Sequence, residues 1–149
     1  MQNFFIPILL LILNPLSQKD TVSTAVGNKY VSYAVVLKEK TLKVGETGTL
    51  LISLTPQKGF HITFEPSPSV QFATSDVVAS TGKLGIIKME RDEYLDLSKP
   101  LKQPFTLSKK SKSGFAAIKG TLTYFYCSEK DRWCSKFKQP FELQITITK

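Results

Sequence analysis

"PFELQITIT", residues 140–148, shows the pattern that decides the fold of this chain. Apolar and polar side chains alternate through it, and a period of two is typical of a β-strand with one buried face. One face carries Phe141, Leu143, Ile145 and Ile147, and the other carries Glu142, Gln144, Thr146 and Thr148. The alternation predicts a strand over these residues, with its apolar face in the core.

The same period recurs along most of the chain after residue 28. The candidate strands are "YVSYAVVL" (30–37), "GTLLISL" (48–54), "FHITF" (60–64), "VQFAT" (70–74), "GFAAIKGTLTYFYC" (114–127) and, with weaker patterns, "LGIIKM" (84–89) and "PFTLS" (104–108). Turn sequences such as "KVGET" (43–47) and "PSPS" (66–69) separate them, and no stretch carries a sustained helical stripe. Seven or eight short strands predict one all-β domain over residues 28–149, an immunoglobulin-like antiparallel β-sandwich.

The N-terminus predicts a secretory signal peptide over residues 1–25. An apolar run covers residues 4–13, and no charged side chain precedes Lys19. This run is about half of the ~20 residues that a membrane-spanning helix needs, a length typical of a signal peptide. Cleavage after Ser17 or after Ala25 is compatible with the sequence, and a buried N-terminal strand or helix is the alternative. We expect a periplasmic or otherwise secreted protein, whose cysteines meet an oxidising environment.

The charge of the chain indicates a solvated surface rather than a nucleic-acid site. The net charge is +8, almost all of it from lysines scattered along the whole sequence. The one local cluster, "SKKSKSG" (108–114), has the serines and glycine of a turn. Basic and aromatic residues are not interleaved as they are in RNA-binding modules. We therefore expect no nucleic-acid partner.

Sequence motifs of common enzyme and cofactor sites are absent. There is no P-loop, dinucleotide-binding glycine motif, serine-hydrolase motif or zinc spacing in the chain. His61 is the one histidine, and its place in an alternating strand predicts a partly exposed strand residue. The acidic run "MERDEYLD" (89–96) is more typical of a loop than of a catalytic carboxylate pair. We expect no cofactor, no metal ion and no small-molecule substrate.

The two cysteines, Cys127 and Cys134, are the remaining candidates for chemistry. Six residues, "SEKDRW", lie between them and predict the connection of a hairpin, where neighbouring strands bring side chains within disulfide range. Closing so short a loop stabilises a fold by about 2.5 kcal/mol in the chain-entropy treatment. The charges nearby have both signs: Lys130, Arg132 and Lys136 favour a thiolate, while Glu129 and Asp131 oppose it. On these grounds a structural disulfide and a redox pair are equally supported.

Four stretches of the chain resemble a known family. They are "KGFHI" (58–62), "RDEYL" (91–95), "GTLTYFYCSEKDRWC" (120–134) and "KQPFELQITI" (138–147). Together they resemble the N-terminal periplasmic domain of DsbD, a family also described as disulfide-bond corrector-like, over roughly residues 28–148. Members of this family have an immunoglobulin-like sandwich fold, which agrees with the strand pattern.

The resemblance implies thiol–disulfide exchange, an oxidoreductase-like interchange activity. Cys127 and Cys134 would be the redox pair, and Cys134 would form the mixed disulfide with a partner. Tyr94 would be the aromatic shield of a cap loop, accompanied by the acids Asp92 and Glu93. Expected partners are periplasmic thioredoxin-like or other disulfide-containing proteins, together with a separate membrane electron donor.

Two departures from the family pattern leave a second function open. Six residues separate the cysteines where the family has five, and the shielding aromatic is tyrosine rather than phenylalanine. The alternative is an exported immunoglobulin-like binding or adaptor domain with a purely structural hairpin disulfide. A copper-handling sandwich is disfavoured because the chain offers one histidine and two methionines.

Overall fold

The computed structural model describes residues 27–149, which form nine β-strands. The signal peptide expected for residues 1–25 lies outside the described residues. Within residues 27–149 no helix is long and apolar enough to cross a membrane. The strands are β1 (Val31–Leu37), β2 (Thr41–Lys43), β3 (Thr47–Pro56), β4 (Phe60–Ile62), β5 (Ser69–Phe72), β6 (Val78–Thr81), β7 (Leu101–Leu107), β8 (Gly114–Ser128) and β9 (Trp133–Thr148).

The first sheet has four strands in the order β1–β3–β7–β6, and each pair of neighbours is antiparallel. The alternation of β3 places Leu50, Ile52 and Leu54 on the inner face, where each is at least 96% buried. Val35 of β1 lies opposite Ile52 in the register, so both side chains enter the same layer. The inner face of this sheet is thus a continuous apolar surface.

The second sheet is built around one long hairpin. Its strand order is β2–β9–β8–β4, with β5 also paired to β8. All 15 residues of β8 pair with β9, from Gly114 opposite Ile147 to Ser128 opposite Trp133. β4 and β5 pair antiparallel with β8, whereas β2 runs parallel to the far end of β9, at Thr146–Thr148. The β8–β9 hairpin is therefore the frame to which the shorter strands are added.

The hydrophobic core lies between the two sheets. Its side chains alternate inward from both, as the strand pattern predicted, and they form one cluster. The second sheet contributes Ile118, Leu122, Tyr124, Tyr126, Phe141, Leu143, Ile145 and Ile147, all less than 9% exposed. Each large apolar side chain buried in this way contributes about 1.5–3 kcal/mol to folding. The immunoglobulin-like β-sandwich expected from the sequence is confirmed, with the β2–β9 pair as its one parallel pairing among the described strands.

The segment from residue 84 to residue 97 differs from the prediction. A strand was expected over 84–89, but the backbone there makes only isolated bridges, at Gly85 and Lys88. The N–H of Gly85 donates to Lys102, whereas the N–H of Met89 donates to Tyr94, so successive residues pair with different neighbours. No continuous ladder forms, and the segment becomes a loop that folds back on itself beside β4. We call residues 84–97 the flanking loop.

Candidate functional site

Cys127 and Cys134 form a disulfide across the β8–β9 hairpin. They lie directly opposite each other in the ladder, and their Cα atoms are 4.0 Å apart. The strands continue past them for one residue each, to Ser128 and Trp133, before the turn. The hairpin predicted for "SEKDRW" is present, with a turn of residues 129–132. In this turn Arg132 has a left-handed backbone (φ 53°), and its N–H donates to the carbonyl of Ser128 at 3.0 Å.

The disulfide occupies a non-hydrogen-bonded position of the ladder. The N–H of Thr63 donates to the Phe125 carbonyl, and the N–H of Glu129 donates to the Gly59 carbonyl, both at 3.0 Å. The backbone groups of Phe125, Cys127 and Glu129 therefore point to β4. Those of Cys127 are thus not available for hydrogen bonds to Cys134 on β9. Non-hydrogen-bonded pairs bring opposite Cα atoms closest in an antiparallel sheet. The strands alone thus keep both cysteines adjacent, and the bond can open or close without a change of register.

The two cysteines differ in exposure. Cys127 lies on the central strand β8 and is only 9% exposed, whereas Cys134 on β9 is exposed. The topology explains the difference, because β4 covers one side of β8 at this height. Among the described strands, only β2 pairs with the edge of β9 that faces away from β8, and it does so at the opposite end of β9. Cys134 therefore lies at an open edge of the sheet.

His61 is the residue of β4 directly opposite Cys127. A type II turn brings it there: the N–H of Phe60 donates to the carbonyl of Gln57 at 3.0 Å, and Gly59 adopts the positive φ of 85° that this turn requires at its third position. The imidazole is one-third exposed, which confirms the partly exposed strand residue predicted for it. The sequence pattern gave no indication that it lies beside a cysteine.

Two side chains hold the imidazole of His61. Its Nε2 contacts a carboxylate oxygen of Glu129, the first residue of the hairpin turn. The ring of Tyr94 stacks on the imidazole with centroids 4.4 Å apart and planes inclined by 14°. Sequence reasoning missed this His61–Glu129 pair, because it depends on the register between β4 and β8.

The flanking loop brings Tyr94 to the site. The N–H of Phe64 donates to the Glu93 carbonyl and that of Leu95 donates to the Ile62 carbonyl, both at 2.9 Å, so the loop extends the sheet beyond β4. Tyr94 lies opposite Thr63 and reaches the disulfide region by way of His61.

The acids expected to accompany Tyr94, Asp92 and Glu93, precede it directly in the flanking loop. The carboxylate of Glu93 accepts a hydrogen bond from Lys88 at 2.8 Å, and Asp92 is exposed at the bend of the loop. Asp96, further along, accepts from the Ser98 N–H at 2.9 Å. Hydrogen bonds from the Ser98 side chain and backbone hold the pKa of the Asp96 carboxyl below its usual value. These carboxylates belong to the structure of the loop itself.

Aromatic side chains form the opposite, inward face at the disulfide end of the sandwich. Tyr30, Phe60, Tyr126 and Trp133 contact one another, with ring centroids between 4.4 and 6.4 Å apart. Trp133 is the one tryptophan of the chain and precedes Cys134 directly. Its fluorescence is therefore an intrinsic probe of the state of the disulfide.

The arrangement offers thiol chemistry. Among residues 27–149, no group of three or more histidine, cysteine, aspartate or glutamate side chains is placed to hold a metal ion. What the site does contain is a disulfide with one exposed and one buried sulfur, next to a carboxylate-bound imidazole.

Comparisons with known proteins leave the family open. No known protein family and no curated protein matches the chain. Among solved structures it is similar to the crystal structure of the N-terminal domain of DsbD from Neisseria meningitidis in the reduced form, with 15% sequence identity and a TM-score of 0.37. The match covers 78% of this chain and 86% of that one. Similarity at this level assigns neither family nor function, so the residues around the disulfide have to carry the functional conclusion.

Proposed function

We propose that residues 28–149 are an exported thiol–disulfide exchange domain that passes reducing equivalents to extracytoplasmic disulfide proteins. Cys127 and Cys134 are the redox pair. The observation that carries the proposal is the unequal exposure of the two cysteines within one disulfide. Exchange needs one sulfur that a partner can reach and a second that is held ready to resolve the mixed disulfide.

The charge beside Cys134 supports its role as the attacking sulfur. Lys136 lies two residues further along β9, on the same outer face of the sheet, and is exposed. Its Nζ is 5.8 Å from the ring centroid of Phe125, its neighbour on β8. A positive charge near a thiol stabilises the thiolate, which is the nucleophile in exchange.

The exchange cycle follows from this assignment. In the reduced domain, the Cys134 thiolate attacks a partner disulfide, a new bond forms to one partner sulfur, and the other sulfur leaves as a thiolate. The Cys127 thiolate then attacks Sγ of Cys134, closing the intramolecular disulfide and releasing the second partner sulfur. The partner gains two electrons and the domain loses two. A separate electron donor, expected at the membrane, has to reduce the domain again.

Trapping of the mixed disulfide tests the assignment. Cys127→Ser removes the resolving thiol, so it should accumulate covalent complexes with envelope proteins on non-reducing gels. Cys134→Ser is the matched control, because it also replaces one cysteine sulfur of the hairpin by oxygen. It lacks the attacking thiol, so it should trap few complexes. Dithiothreitol should separate the two proteins of each complex, because it reduces the mixed disulfide.

The opposite result favours the adaptor function. If Cys127→Ser captures no more protein than Cys134→Ser, the disulfide is structural and the domain is an exported immunoglobulin-like binding module. A reduction potential below about −300 mV for the isolated domain would support that conclusion independently, since structural disulfides have such values.

A further inference from the structure

His61, Glu129 and Tyr94 form a built arrangement around one imidazole beside the buried cysteine. Antiparallel neighbours at a hydrogen-bonded position have Cα atoms about 5.5 Å apart and side chains on the same face. His61 and Cys127 occupy such a position, as the bonds on either side of them show. The side chains of His61 and Cys127 therefore leave the backbone next to each other on the outer face of the sheet.

The buried cysteine has a chemical need that this imidazole meets. Burial disfavours a thiolate, yet Cys127 has to become one before it can resolve a mixed disulfide on Cys134. Lys136 lies one pair further along the ladder, opposite Phe125, and its ammonium group can donate a proton but cannot accept one. A proton acceptor next to Cys127 would take up the thiol proton, which Lys136 does not do.

The carboxylate of Glu129 determines which nitrogen of His61 accepts a proton. An ionised carboxylate is an acceptor only, so the Nε2 that contacts it carries the hydrogen and donates. Nδ1 is then the nitrogen with the free lone pair. The stacked ring of Tyr94 fixes the plane of the imidazole.

We propose that His61 is the proton acceptor for Cys127 in the resolving step, with Glu129 as its positioning residue; the inference rests on the exchange function proposed above. The proton of the Cys127 thiol moves to Nδ1 of His61. The resulting thiolate attacks Sγ of Cys134, the intramolecular disulfide forms, and the partner sulfur leaves as a thiolate. The imidazolium then returns its proton to the departing thiolate or to solvent. The titratable groups that face His61 in this step are Glu129, Tyr94 and Cys127.

A chromogenic disulfide, dithiobis-nitrobenzoate, separates the two steps of the cycle without a protein partner. Mixed with the reduced domain in stopped flow, it releases one coloured thiolate when Cys134 attacks and a second when Cys127 resolves. The second release is identified because its rate does not depend on reagent concentration. Trp133 fluorescence reports the same closure of the disulfide.

His61→Gln should slow the second release about tenfold at neutral pH and leave the first unchanged. A tenfold change corresponds to one unit in the ionisation of a thiol. The ratio of native to variant rates should fall toward one only at a pH well above about 8.5, the pKa of a free thiol, because burial opposes the unaided ionisation of Cys127. Glu129→Gln should show a smaller slowing with the same pH dependence, and Glu142→Gln, on the far part of β9, should match the native domain.

The outcomes distinguish this inference from the exchange function. If the second release is unchanged in His61→Gln, or is slowed by the same factor at every pH, His61 only packs beside the cysteine and the inference is wrong. If Cys134 gives no rapid first release in the native domain, or if the second release is absent, the exchange function itself fails. Urea unfolding of each variant shows that the fold is retained.

Discussion

Reduction of the Cys127–Cys134 bond should weaken the domain by only about 2.5 kcal/mol and leave it folded. The loop closed by the bond spans a sequence separation of seven residues, so the chain-entropy treatment gives a contribution near the lower end of the usual range. The same two strands are joined by all 15 residue pairs of the β8–β9 ladder, and their inner faces lie in the core. The fold of the hairpin therefore does not depend on its disulfide.

The expected change in melting temperature follows from the size of the domain. For residues 27–149 the entropy of unfolding is about 0.26 kcal/mol/K. A loss of about 2.5 kcal/mol then lowers the midpoint by roughly 10 °C. For comparison, Ile145→Ala in the same ladder should cost about 2–5 kcal/mol by leaving a cavity, without touching the disulfide.

Thermal and urea unfolding with and without dithiothreitol would measure the effect. The double variant Cys127→Ala/Cys134→Ala is the control, because it lacks the bond under both conditions and should behave like the reduced native protein. A reduced domain that is unfolded at 25 °C, or one that loses more than about 5 kcal/mol, would show that the bond is required for the fold. In that case the reasoning from the ladder is wrong, and a structural disulfide becomes the better description.

Three further predictions concern other parts of the chain. Tyr94→Ala should make reduction of the disulfide by glutathione several-fold faster while Tyr94→Phe keeps the native rate; equal rates in all three proteins would reject Tyr94 as a shield. Burial raises the pKa of Tyr124 to about 12, so the fold favours the neutral phenol, and about 2–3 kcal/mol of stability present below pH 10 should be lost as the pH rises toward 12. Urea unfolding of Tyr124→Phe should lack this alkaline loss, and a loss equal to that of the native protein would contradict it. N-terminal sequencing of protein from the envelope fraction should begin between about residues 18 and 26, whereas an intact Met1 in the cytoplasm would contradict export.

The strands of the sandwich were predictable because the alternation of apolar and polar side chains is a local feature of the sequence. The alternation in 48–54, 114–127 and 140–148 depends only on which side chains face the core, and the structure buries the apolar set in each case. β2 and β6 were not predicted, because β2 buries a single side chain, Leu42, and β6 buries none, so neither shows an alternation. The first part of β9, from Trp133 to Gln139, was missed for a different reason. Lysines dominate its outer face, and its inner face is only partly buried near the hairpin turn.

Of the candidate site, the local sequence pattern predicted the two cysteines, and the family resemblance added Tyr94. The spacing and the flanking residues of the cysteines indicated a hairpin. The difference in exposure between Cys127 and Cys134 depends on which strands lie next to β8 and β9, and the sequence pattern does not contain that information. His61 is 66 positions before Cys127, and which residue of β4 faces which residue of β8 is determined by the turn at Gly59 and the packing of the whole sheet. No local pattern contains that register. A loop over residues 89–96 was predicted, but its place beside β4 follows from no local pattern, since the bridge from Tyr94 to Thr63 has no period of its own.

The position of the hairpin in the sheet is what makes the two cysteines chemically different. In an isolated two-stranded hairpin, Cys127 and Cys134 would be equally exposed, and neither could be assigned to attack or to resolution. β4 changes this, because it covers Cys127 and places an imidazole beside it. β2 would remove the difference if it ran the full length of β9, but its three residues pair with Thr146–Thr148 at the opposite end. Cys127 is buried beside β4 and Cys134 is exposed at an open edge of the sheet, an asymmetry that fits the proposed exchange of disulfides.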